Sequence, residues 1–124
     1  MGWLTSIYRQ TEGRDTPATF GTVAGPQLVF WYSSTFGLDW IEALVRDGKA
    51  IDLGGDAYPS RYTITVANFL PEIVHGPPGT AHVADGEPPR PDKETWTGSD
   101  KVNRAAIAEC SMHEWLLVDS WDST

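Results

Sequence analysis

Gln27-Leu28-Val29-Phe30-Trp31-Tyr32-Ser33 decides the fold class, because its β-branched and aromatic core is the strongest strand signal in the chain. Thr19 to Ala24 lies on the other side of Gly25-Pro26, and the pair of segments predicts a hairpin there. Upstream, Trp3, Thr5 and Ile7 alternate with Leu4, Ser6 and Tyr8, a period-two pattern that predicts a first strand over Trp3 to Arg9. Met1 to Ser6 also matches the N-myristoylation pattern formally, but the strand is the plainer reading. Gln10 to Pro17, rich in Gly, Asp and Thr, reads as a turn or loop.

The best helix follows the strand. Asp39 to Glu42 fits a D-x-x-E variant of the capping box, and Leu38, Ile41, Leu44 and Val45 share one face. Glu42 is placed to pair with Arg46 at i,i+4, and Gly48 supplies the stop. Ala50 to Leu53 reads as a short strand, Gly54-Gly55-Asp56 as a turn, and Arg61 to Phe69 as a strand. Pro71 to Pro91 holds six of the nine prolines, which predicts an irregular Pro/Gly-rich loop at about 71–95. Ser99 is positioned to cap a second helix running to about Ser111. Trp115 to Val118 then gives a last strand, closed by Asp119-Ser120-Trp121-Asp122. Residues 1–124 thus read as one α+β domain, a mostly antiparallel sheet of about five or six strands packed against one or two short helices.

Composition excludes several function classes. The chain has 124 residues, nine Lys and Arg against seventeen Asp and Glu, and a net charge of -8. That charge opposes duplex nucleic-acid binding and attachment to a membrane through a basic patch. A single cysteine, Cys110, excludes an internal disulfide framework and four-cysteine zinc modules. No apolar run approaches the ~18 residues needed to span a bilayer, and Met1 to Arg9 lacks the features of a signal peptide, so a cytoplasmic location is expected.

Catalytic patterns do not emerge. Cys110 and His113 form a C-x-x-H pair and His75 and His82 lie in the proline-rich loop, but this spacing departs from that of structural zinc sites. No G-x-S-x-G elbow, dinucleotide fingerprint or phosphate loop occurs. Carboxylate pairs such as Asp52 with Asp56, or Asp119 with Asp122, are expected by chance in so acidic a chain and read as solvated faces. The expectation is a non-enzymatic protein with no cofactor and no metal.

Aromatic residues are more informative. Trp31, Trp40 and Trp115 fall inside predicted elements and are expected in the core. Trp96 and Trp121 lie among polar neighbours, where an aromatic either covers an edge or anchors a partner.

Trp40-Ile41-Glu42-Ala43-Leu44 followed by Gly48-Lys49-Ala50-Ile51 resembles the opening of the small phage domain family known as the Thoeris anti-defence sponge. Trp96-Thr97-Gly98-Ser99-Asp100 and Glu114-Trp115-Leu116-Leu117-Val118 are similar to two later segments of that family. The resemblance implies a non-enzymatic homo-oligomer that sequesters a nucleotide-type immune signal.

A nucleotide ligand would be held around Trp96, Ser99 and Asp100, with Arg61 and Tyr62 opposite. In that arrangement Trp96 stacks on a base, amides after Ser99 meet a phosphate, Asp100 accepts ribose hydroxyls, and Arg61, the only cation between Lys49 and Arg90, contacts phosphate. The charge supports a second reading, an acidic inhibitor or immunity-type protein that docks on a basic protein partner and blocks it.

Overall fold

The computed structural model describes residues 2–33, 36–73, 78 and 101–122. The alternating segment at the start forms β1 (Trp3–Gln10), and the apolar run around Trp31 lies in β2 (Ala24–Ser33). They pair antiparallel, with Thr5 opposite Trp31 and Ile7 opposite Val29. Next come α1 (Asp39–Arg46), β3 (Ala50–Gly54), β4 (Ser60–Thr65), α2 (Val66–Phe69) and a 3-10 turn at Leu70–Glu72. After them are β5 (Lys101–Val102), α3 (Arg104–Ala108) and β6 (Trp115–Asp122). All six strands join one sheet in the order β3-β4-β6-β1-β2-β5, and every pairing is antiparallel. This is the expected α+β architecture. Among the described residues no helix is long and apolar enough to cross a membrane.

One face of the sheet carries the core. Ile7, Val29, Trp31, Tyr62, Ile64, Leu116 and Val118 project from it against Trp40, Ile41 and Leu44 of α1, Val66 and Phe69 of α2, and Ile107 of α3. Trp31 packs on Trp40 with ring centroids 5.8 Å apart, and Trp40 lies 6.3 Å from Phe69, so three aromatic rings join β2, α1 and α2. Thr5 and Ser120, both buried, satisfy one another across the β1–β6 pair at 3.0 Å.

Several local expectations are corrected. The hairpin at Gly25-Pro26 is absent, because β2 continues through it and stays paired with β1 across two register shifts, Gln27 opposite Tyr8 and Ala24 opposite Gln10. Gly25 is needed there since any Cβ would collide with the Arg9 carbonyl, and the register shifts at this end leave room for Pro26. Helix α1 is not capped by Asp39. Its N-cap is Leu38, with no side-chain cap, and Asp39 and Glu42 sit in the first turn, where acidic groups favour the helix dipole. Glu42 and Arg46 do not form the expected ion pair, and both remain exposed.

The strand expected to reach Phe69 ends at Thr65, whose hydroxyl accepts from the Asn68 amide and caps α2. Val66, Phe69, Leu70 and Ile73 are all buried, a helical spacing that a strand would divide between two faces. Pro71 belongs to the 3-10 turn, where proline near the first position loses no hydrogen bond. The C-terminal helix starts at Arg104 and is capped by Asn103, whose Oδ1 accepts from the Ala106 amide, while Ser99 lies outside the described residues. Finally, β6 continues through Asp119-Ser120-Trp121-Asp122 instead of turning. Most of the 71–95 loop lies outside the described residues.

Adjacent residues of β2 test this division of faces. Trp31→Ala is expected to cost about 3–5 kcal/mol in urea unfolding, since it empties the middle of the aromatic core. Tyr32→Ala should cost less than about 1 kcal/mol, because its ring points to the other side of the sheet and is 57% exposed.

Candidate functional site

Strand alternation separates the two described residues of the expected nucleotide site. Tyr62 faces the core and is buried, whereas its neighbour Arg61 projects from the outer face of the sheet, away from the helices. Arg61 and Tyr62 therefore do not line one site. Trp96, Ser99 and Asp100 lie outside the described residues.

Arg61 is extensively engaged. Its Nε lies 2.9 Å from Asp119 Oδ1, an ion-pair contact out of hydrogen-bond alignment, and Nη2 donates to Oδ2 at 3.3 Å. Nη1 donates to the carbonyls of Phe20 at 2.6 Å and Thr22 at 3.2 Å, and the Phe20 ring lies over the guanidinium at 5.5 Å. Asp119 is buried, contrary to its reading as part of a solvated face. Burial holds its carboxyl above the ordinary range, although Arg61 pulls the other way.

These contacts fasten a strap, residues 11–23, across part of the outer face. Trp115 donates its amide to the Arg14 carbonyl at 2.7 Å, and Gln10 Nε2 bridges the carbonyls of Thr16 and Trp115. The Ala18 amide donates to Thr63 Oγ1, whose hydroxyl donates in turn to the Leu116 carbonyl. Beneath the strap Leu117 and Thr63 are fully buried, so β4 and β6 are covered on both sides.

Among the described residues the strap leaves the end of the outer face at Leu4, Tyr32 and Trp121 partly exposed, while Ser6 and Asp119 are buried. Register places Leu4 between Tyr32 and Trp121, and Ser6 between Phe30 and Asp119, with Lys101 beyond Phe30. Phe30 and Tyr32 meet edge to face at 5.7 Å. Tyr32 is 57% exposed, Trp121 40%, and Phe20, at the border of the strap, 48%. Contiguous exposed aromatics of this kind mark binding surfaces. Polar neighbours in the sequence mark Trp121, whereas nothing local marks Phe30 and Tyr32. An unbroken apolar run suggests burial on both faces, and only the path of the strap decides that one face stays open.

The opposite side of the molecule has the contrary character. Asp39, Glu42 and Asp47 on or beside α1, and Asp52 and Asp56 on or after β3, are exposed. Burial, reinforced by Asp52 and Glu42, pushes the Tyr62 hydroxyl up to about 12. Among the described residues only two carboxylates are buried, and each is met by an arginine. Asp119 has Arg61, and Glu114 receives a bidentate contact from Arg9, Nε to Oε2 at 2.7 Å and Nη2 to Oε1 at 3.1 Å.

Catalytic chemistry finds little support in these surroundings. Cys110 is half-buried, its thiol pushed up by burial and then by Glu114, and His113 is exposed. A raised thiol pKa withholds the thiolate that a nucleophile or metal ligand requires. Among the described residues no three His, Cys, Asp or Glu side chains gather as metal ligands do.

Two measurements probe these groups. Arg61→Met leaves the Asp119 carboxylate buried without a cation and is expected to cost about 3–5 kcal/mol at neutral pH, whereas Asp119→Asn costs less than about 1 kcal/mol. With Arg61 gone the folded-state pKa of Asp119 rises further. Protonation then favours the fold, and the stability gap to wild type narrows as pH falls through the carboxylate range. At the alkaline end, folding favours neutral Tyr62, so its contribution is intact below pH 10 and fades as pH rises toward about 12. Tyr62→Phe should flatten that part of a stability-against-pH curve.

Compared with protein-family models, with curated proteins and with solved structures, the chain matches none.

Proposed function

We propose that the protein is a non-enzymatic, acidic inhibitor or immunity-type protein that docks on a basic protein partner and blocks it. The observation that carries this reading is the allocation of charge. Arg9 and Arg61 are each committed to a buried carboxylate, so they contribute little positive field to a chain of net charge -8. The carboxylates of α1 and β3 stay in water with only Arg46 and Lys49 as exposed cations nearby in sequence. Such a surface speeds encounter with a positive partner and repels anionic ligands at long range.

The nucleotide-sponge reading has less behind it. Its cation, Arg61, is already shared between a carboxylate and two carbonyls, and using it for phosphate means breaking the strap's attachment.

The test has two arms. Partner proteins captured from the source cells on immobilised protein are purified and titrated against wild type and the doubly reversed Glu42→Lys, Asp52→Lys variant. A basic partner whose association slows about tenfold or more in the variant, and slows for wild type as salt rises, agrees with the proposal. Nucleotide second messengers are screened by thermal shift, where a ligand at 100 times its dissociation constant adds about 2.7 kcal/mol of stability. A nucleotide that produces this shift, with no basic partner recovered, overturns the inhibitor reading.

A further inference from the structure

We infer that Asp52, Glu42 and the Tyr62 hydroxyl form a recognition site for an arginine side chain of the basic partner, at the sheet edge where β3 meets α1. The inference rests on the inhibitor reading and gives that docking surface its anchor point. Register sets Asp52 directly opposite Tyr62 in the β3–β4 pair, so both side chains leave the same face of the sheet with Cβ atoms about 5 Å apart. Tyr62 belongs to the core that α1 covers, and Glu42 of α1 acts together with Asp52 on the Tyr62 hydroxyl. β3 is the outermost strand, so no further strand of the described residues closes this side.

Tyr62 distinguishes this place from a chance pair of acids. Only 4% of the residue is exposed, and its hydroxyl has no hydrogen-bond partner among the described residues. That hydroxyl is not one of the fully enclosed polar atoms, so the remaining exposure lies at the tip of the ring, toward the two carboxylates. A buried tyrosine ordinarily satisfies its hydroxyl. Here the oxygen lone pairs have no donor, and the carboxylates beside them supply only acceptors. Asp52 Oδ1 accepts from the Gly54 amide at 2.8 Å, which fixes the carboxylate and leaves Oδ2 free of any described partner. Among the described residues neither Asp52 nor Glu42 forms an ion pair, although Arg46 and Lys49 are near in sequence.

The chemistry of these groups selects the occupant. Two carboxylates and a phenol oxygen, drawn from three elements, call for a cation that carries several donors at once. Guanidinium has five N–H groups in a planar fork and is less strongly hydrated than ammonium, so one arginine can meet both carboxylates and the Tyr62 oxygen together. A hard divalent cation such as calcium needs six or more oxygen ligands, and among the described residues no three His, Cys, Asp or Glu side chains gather to supply them. Anions are repelled. Arginine is also enriched at the centres of protein interfaces, where a half-enclosed acceptor set of this kind gives one side chain a fixed geometry.

Titration of the full chain with a tetra-arginine peptide at low salt, followed by the ring-carbon NMR signals of its tyrosines, tests the inference without the natural partner. The Tyr62 signal, identified by its loss in Tyr62→Phe, is expected to shift saturably. Asp52→Asn and Glu42→Gln should each weaken binding about fivefold or more, and Tyr62→Phe about threefold. Glu12→Gln, which removes the same charge from the exposed strap, should change it less than about twofold. Tetra-lysine should bind more weakly than tetra-arginine. Asp52 is exposed, so its variant keeps the test valid if Tyr62→Phe folds poorly. A peptide that binds while the Tyr62 signal stays still, or that responds equally to Asp52→Asn and Glu12→Gln, overturns the site and leaves the acidic-surface reading standing. A peptide that does not bind at all also overturns the site, and capture of a basic partner then judges the inhibitor reading separately.

Discussion

The structure depends on the last strand entering the middle of the sheet. β6 pairs with β1 on one side and β4 on the other, and every residue from Leu116 to Ser120 is buried. Without β6 the chain has two antiparallel groups, β1 with β2 and β5, and β3 with β4, that share no edge. Their apolar faces form one core only when the C-terminal segment fills the gap, so the sheet closes through contacts between the two ends of the sequence. Non-local pairing of this kind imposes a loop-closure cost before any contact offsets it. Two arginine–carboxylate contacts then bind β6 to its neighbours, Arg9 of β1 to Glu114 at its entry and Arg61 of β4 to Asp119 in its middle.

Burying a carboxylate in that central strand has consequences on the outer face. Asp119 needs a cation, Arg61 supplies it, and the remaining guanidinium donors reach the strap carbonyls of Phe20 and Thr22. The polar requirement of one strand thereby fixes the path of the connection between β1 and β2. Because the strap crosses β4 and β6, it leaves β1 and β2 uncovered at the end where Leu4, Tyr32 and Trp121 meet. The ion pair thus joins the Arg14–Trp115, Gln10–Thr16 and Ala18–Thr63 hydrogen bonds in setting which half of the sheet is covered.

Charge and apolar exposure are sorted to opposite sides. The helical side bears the exposed acids of α1 and β3, while the strand positions of the outer face carry aromatics and, among the described residues, no acid besides Asp119.

Local pattern in the sequence determined the element types where hydrophobic periodicity was clean: the strands around Trp31, Ile64 and Leu116, the helix carrying Trp40, and the α+β class itself. Periodicity suffices there because each side chain's burial follows from its own spacing. Boundaries failed wherever a distant partner satisfied a group that local rules treat as a breaker. Asp119 and Ser120 read as a closing turn, yet Arg61 and Thr5 allow β6 to continue through them. Gly25-Pro26 reads as a hairpin turn, yet the Arg9 backbone gives it a strand neighbour. The same reason accounts for the sites. Arg61 and Tyr62 are adjacent in sequence and suggest one pocket, but a strand sends them to opposite faces, one to an ion pair and the other to the core. The sequence alone determined which residues could be buried; tertiary structure decided which face of the sheet remained open, because the path of the strap depends on a carboxylate 58 residues from its arginine.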